Sequence, residues 1–119
     1  MNHQKDRKKL NLSAKHRSAL LRNQVISLIL HGHITTTKAR AKETRRFAER
    51  MVTLARKGNN FNNRRRAKQM LPYNDDALNK LFVEIAPRYT ERPGGYTRIY
   101  SLGRRPSDTA EIARLEWVL

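Results

Sequence analysis

Lysine and arginine are the side chains of this sequence with the greatest chemical capacity, and the chemistry they suit is recognition of phosphate. They number 26 against 10 Asp and Glu in 119 residues, a formal net charge of +16. A guanidinium forks onto two phosphate oxygens, and an ammonium meets them as a point charge. Each such contact displaces condensed counterions from a nucleic acid. The basic residues gather in a few places. The opening segment carries His3, Lys5, Arg7, Lys8 and Lys9. A second group is Lys38, Lys42, Arg45 and Arg46, a third the run Arg64-Arg65-Arg66, and a fourth Arg88, Arg92 and Arg98 around Gly94-Gly95, with Arg104-Arg105 beyond. A compact domain with this charge repels itself, so the composition points to a polyanionic partner. Nucleic acid is the first choice and an anionic membrane surface the second.

Aromatic residues interleave with the fourth group. Tyr89, Tyr96 and Tyr100 alternate with Arg88, Arg92 and Arg98, a mixture suited to stacking on unpaired RNA bases. The opposing expectation is that these tyrosines finish a core or cover a sheet edge. Gly94-Gly95 allows close approach of backbone N–H groups to a phosphate, or forms a simple turn. No catalytic constellation accompanies these groups. There is no Cys, which removes thiolate chemistry and Cys-based zinc sites. His31 and His33 have no acidic or thiol ligand near them in sequence, so no metal is expected. No glycine-rich phosphate loop of a nucleotide-binding enzyme is present. The sequence thus predicts no catalytic residue, no cofactor and no small-molecule substrate. Apolar runs such as Leu28-Ile29-Leu30 are far too short to span a bilayer.

The elements that position these groups follow from periodicity. Residues 1–12 are basic and poor in apolar groups, and read as an extension that orders on a partner. Residues 13–119 read as one domain. Ser13 is an N-cap for a first helix with Leu21, Val25, Leu28 and Ile29 on one stripe and Gly32 at its end. Arg22 falls inside that apolar arc, where it must pair, reach outward or meet a phosphate. Ile34-Thr35-Thr36 predicts a short extended segment. Thr36 or Thr37 caps a second helix from Lys38 to about Lys57, with Phe47, Met51, Leu54 and Ala55 on one side and the basic stripe on the other. A third helix spans about Asn62–Leu71. A fourth begins at the cap Asn74, with Asp75 and Asp76 in its first turn, buries Leu78, Leu81, Phe82 and Ile85, and stops at Pro87. The period then changes to two. Tyr96–Leu102 and Glu111–Val118 predict an antiparallel pair of strands, with Ala113, Leu115 and Trp117 on the covered face. The expected class is α+β, a two-layer arrangement of about four helices on a small mixed or antiparallel sheet, with a basic N-terminal extension.

Several ordered motifs resemble one known family. His16-Arg17-Ser18-Ala19-Leu20-Leu21-Arg22-Asn23 resembles the first-helix signature of the seventeenth large-subunit ribosomal protein family of bacteria. Ile34-Thr35-Thr36-Thr37 with Arg40-Ala41-Lys42-Glu43 and Arg45-Arg46 is similar to its next segment. Ala86-Pro87-Arg88-Tyr89 and Gly94-Gly95-Tyr96-Thr97-Arg98-Ile99 follow in the same order, and Met1–Leu10 also fits. The resemblance implies helices packed on a small sheet and a non-catalytic role: binding large-subunit ribosomal RNA near the outlet of the peptide exit tunnel, beside neighbouring large-subunit proteins, on cytoplasmic ribosomes. It implies RNA contacts at the arm, at His16 and Arg17, on the second helix and around Gly94–Arg98. The stretch Gly58–Tyr73 carries none of these motifs, so Arg64, Arg65 and Arg66 rest on charge alone. Two rival readings remain at this stage. A DNA-binding architectural protein would suit the charge but lacks a base-reading helix and a dimer seam. An RNA-processing enzyme would need an acid–base or metal site that the sequence does not supply.

Overall fold

The computed structural model describes residues 10, 12–72 and 74–118. The basic arm Met1–Lys9 lies outside the described residues. Helix α1 spans Ala14–His31. The Ser13 hydroxyl accepts the His16 N–H at 3.3 Å, satisfying one of the orphan donors of the first turn. Gly32 ends the helix with φ 85°, and its N–H returns to the Leu28 carbonyl. That left-handed conformation disfavours a side chain. Val25, Leu28 and Ile29 are fully buried. Leu21, expected on the same stripe, is only half-buried. Arg22 is half-buried as well.

Strand β1 (His33–Thr37) follows at once, and Thr37 then caps helix α2 (Lys38–Ala55) by accepting the Arg40 N–H. The buried face of α2 is Ala41, Thr44, Ala48, Met51, Val52 and Ala55, with Glu43 also covered. Met51 and Ala55 thus fall where the sequence put them, whereas Phe47 and Leu54 flank the core and are only partly buried. Helix α3 spans Phe61–Met70 and is capped by the Asn60 side chain.

Helix α4 (Asp75–Lys80) is capped by the Asn74 side chain, which accepts the Ala77 N–H at 2.9 Å. It does not stop at Pro87 as expected. It passes into a π-helical turn, Leu81–Ile85, and then a 3-10 turn, Ala86–Tyr89, with Pro87 in the opening turn. Proline has no N–H to give and its ring crowds the carbonyl four residues back. Changing the helical winding just before the ring accommodates both constraints. Leu81, Phe82 and Ile85 are buried, as their spacing predicts.

Strands β2 (Thr97–Arg104) and β3 (Glu111–Trp117) pair antiparallel, and β1 joins the other edge of β3 in the same sense. The sheet order is β1-β3-β2, which resolves the mixed or antiparallel alternative. Ala113, Leu115 and Trp117 face the helices and are buried. The Trp117 indole N–H donates to the Leu28 carbonyl at 3.0 Å, tying the central strand to α1. A bulge between Ser101 and Gly103 lengthens β2 by one residue, with Gly103 at φ 99°. Polar groups inside the core are paired. Gln24 donates to the Thr36 hydroxyl at 3.1 Å and accepts from the buried Thr44 hydroxyl, joining α1, β1 and α2. Glu49 of α2 accepts the Thr97 N–H and hydroxyl at 3.2 and 3.1 Å, which pins the start of β2.

Candidate nucleic-acid interface

Helix α2 turns its covered face inward and leaves its cations outside. Lys38, Lys42 and Arg45 recur at helical spacing, and Lys42 and Arg46 are exposed. Arg45 lies 3.8 Å from Glu49, and Lys38 lies 3.9 Å from Glu111 of β3. Lys38 and Lys42 line a hollow of about 320 Å3 with Thr37 and Ala110. Arg50, absent from the sequence expectation, is exposed one turn beyond Arg46. Its signal was the i, i+4 repeat from Arg46. His16 is exposed on the first turn of α1, and Arg17 donates back to the Leu12 carbonyl at 3.5 Å.

The run Arg64-Arg65-Arg66 does not act as a unit, because about 100° per residue sends three successive helical side chains in three directions. Arg64 donates to Asn59 and, at 2.8 Å, to Asn79, and its guanidinium lies 5.2 Å from the centre of the Phe82 ring. Those contacts brace α3 against α4. Arg65 and Arg66 are exposed, with Arg65 over the exposed Phe61 ring. In the β2–β3 hairpin the arginines are also paired. Arg104 meets Glu111 at 3.4 Å, and Arg105 meets Asp108 at 2.6 Å. The Arg105 hydrogen bond holds the Asp108 carboxyl down at about 2.

Two of the tyrosines expected to stack on bases are closed to a ligand. Tyr89 is 3% exposed and Tyr96 is 0% exposed. The Tyr89 hydroxyl donates to the Val118 carbonyl, and burial pushes its phenol up against the lowering pull of Arg88 and Arg92. Tyr96 contacts the Tyr89 ring at 5.1 Å, and its hydroxyl meets Thr53 at 3.3 Å and Arg56 at 3.5 Å. Tyr96 lies just before the β2 ladder, where Gly95 at φ 63° bends the chain. The alternation therefore fails at that residue, and its ring turns into the core. Arg92 donates to the Gly95 carbonyl at 3.3 Å, and neither Gly94 nor Gly95 has any atom within 4 Å of where a Cβ would stand. The backbone there is open to a close neighbour.

The face of the sheet turned away from the helices holds the remaining groups. By register, Arg98 of β2, Glu116 of β3 and His33 of β1 form one row, and Tyr100, Arg114 and Thr35 form the next. Tyr100 is 40% exposed. Arg98 donates to its hydroxyl at 3.0 Å, and Arg114 donates to Glu116 at 3.0 Å. Arg114 was not singled out by the sequence, and His33 was weighed there only as a metal ligand. The alternation of Arg114 with Ala113 and Leu115 marked it as outward. Among the described residues no cluster of three or more His, Cys, Asp or Glu could hold a metal ion, and no helix is long and apolar enough to cross a membrane.

A family model described as ribosomal protein L17 matches residues 20–118. The chain is 49% identical over 118 residues to the large ribosomal subunit protein bL17 of Fusobacterium nucleatum, covering 99% of this chain and 100% of that one. It is 47% identical to the protein of the same name from Syntrophotalea carbinolica, over 99% of this chain and 75% of that one. For the Borrelia hermsii protein of that name the identity is 48%, over 92% and 88%. The family consists of structural ribosomal proteins and not of enzymes. The family match runs from within α1 through to the end of β3 and takes in every element of the sheet, so the chain belongs to the ribosomal protein L17 family.

Proposed function

We propose that this protein binds large-subunit ribosomal RNA near the outlet of the peptide exit tunnel, as a structural constituent of the large subunit in the cytoplasm. The observation that carries the reading is the placement of charge. The net charge is +16, and Lys42, Arg46, Arg50, Arg66, Arg88 and Arg98 stand exposed around a closed apolar core. Cations on a rigid frame neutralise phosphates of RNA segments that must lie close together, and counterion release drives the association. The arm, residues 1–12, contributes His3, Lys5, Arg7, Lys8 and Lys9. The folded domain, residues 13–119, supplies the helix and sheet faces. Support for the ribosomal setting comes from the relatives, which carry the name large ribosomal subunit protein. The tunnel-outlet position rests on the family resemblance, and neighbouring large-subunit proteins are the accompanying partners.

Sedimentation of tagged protein from lysed cells, with a high-salt wash of each fraction, tests the assembly. Co-migration with large subunits through moderate salt is expected, and crosslinking then maps the RNA contacts. Recovery with nucoid DNA or at the top of the gradient would overturn the reading.

A further inference from the structure

A shallow depression of about 410 Å3 lies at one end of the outer sheet face. Its rim is built from Arg88 of the 3-10 turn, Arg98 and Tyr100 of β2, His33 of β1 and Glu116 of β3, and Trp117 lies beneath. From the placement of these groups we infer that the depression receives a single unpaired RNA nucleotide, its base stacked on the Tyr100 ring and its phosphate held by Arg88 and Arg98. This rests on the RNA-binding reading above and assigns to one site a task distinct from phosphate neutralisation by α2.

Three observations carry it. First, Tyr100 is the tyrosine of its neighbourhood with an accessible ring, at 40% exposure against 3% for Tyr89 and 0% for Tyr96. It stands on a strand, so its direction is fixed by the ladder rather than by a loop. Second, Arg98 is held beside that ring. Its guanidinium carbon lies 5.9 Å from the ring centre, and Nη1 donates to the phenol oxygen at 3.0 Å. A planar cation beside an aromatic ring offers a base one stacking surface and its phosphate one charge. Third, the carboxylate in the depression is already compensated, because Glu116 accepts from Arg114 at 3.0 Å. It therefore repels a phosphate less, while remaining an acceptor for a base amino group. Duplex RNA cannot use this arrangement, since its paired bases have their faces covered by neighbours.

The test compares two RNA hairpins of equal length and charge, one fully paired and one with a single extrahelical nucleotide. Binding of the full chain is followed by fluorescence anisotropy at matched salt. The bulged hairpin should bind about tenfold tighter, in keeping with the worth of one base stacked on an aromatic ring. Tyr100→Ala should erase that difference and leave the paired hairpin's affinity unchanged, and Tyr100→Phe should keep it. The sole tryptophan, Trp117, reports by its emission that the variants are folded. Equal affinity for the two hairpins in the wild-type protein would overturn the inference and leave RNA binding standing. So would equal weakening of both by Tyr100→Ala. Failure of both hairpins to bind would overturn the RNA reading itself, and this site with it.

Discussion

Asp108 and Thr44 show two ways in which single polar groups hold this protein. Asp108 is exposed in the hairpin, accepts two hydrogen bonds from Arg105 at 2.9 and 2.6 Å, and also accepts the Ala110 N–H at 3.2 Å. Its carboxyl is thereby lowered to about 2. A carboxylate whose folded value is depressed adds stability above its unfolded value, and that contribution is lost as pH falls through the folded one. A carboxyl NMR titration should therefore find the Asp108 midpoint near 2, and Arg105→Ala should return it toward the ordinary aspartate range. Thr44 is fully buried and donates to Gln24. Thr44→Val keeps the shape but leaves the Gln24 oxygen without that donor. The expected loss is about 1–2 kcal/mol by chemical denaturation, with an unchanged denaturant slope.

At the scale of elements, the turn between α1 and β1 decides whether the sheet is reached at all. Gly32 at φ 85° ends the helix, and β1 begins at the next residue with His33 opposite Glu116. No atom lies within 4 Å of where a Cβ would stand at this position. Gly32→Ala should thus destabilise by about 1–2 kcal/mol through backbone strain alone, without a clash. A much larger loss in thermal or chemical unfolding would show that the turn is packed as well as bent. Much of this level was legible in the sequence. Ser13, Thr37, Asn60 and Asn74 all cap helices, and three of the four follow from residue type and position ahead of an apolar run, Thr37 as one of two candidates. The start of α3 is displaced by a residue from the expected Asn62, since the cap is Asn60. Pro87 marks the place of the π turn before it, but in sequence a proline reads as a stop and does not distinguish an ended helix from one whose winding changes.

For the whole molecule, the quantity to measure is the dependence of RNA affinity on salt. The slope of log affinity against log salt counts the phosphates neutralised, at about 0.9 per contact for a duplex of B form. Lys42 and Arg46 are exposed on α2. Replacing both by Ala should flatten the slope by roughly 2 if each meets a phosphate. Arg64→Ala should behave in the opposite manner. It removes bonds to Asn59 and Asn79, so thermal stability should fall while the salt slope stays nearly constant.

The sequence alone pointed to a polyanionic partner and determined the α+β order of elements and most helix boundaries, because these depend on net charge and on spacing along the chain. It also determined that Ala113, Leu115 and Trp117 line the core, since alternation in a strand assigns faces without reference to anything distant. Tertiary structure decided which aromatic and basic groups remain available. Tyr89, Tyr96 and Tyr100 look alike in sequence, yet the 3-10 turn and the bend at Gly95 bury the first two and the ladder leaves the third outside. Arg64, Arg65 and Arg66 are likewise adjacent in the chain, and only the packing of α3 against α4 draws Arg64 into Asn79 and Phe82. Burial is set by the surface a neighbouring element brings to a side chain, and that neighbour is many residues away in the sequence.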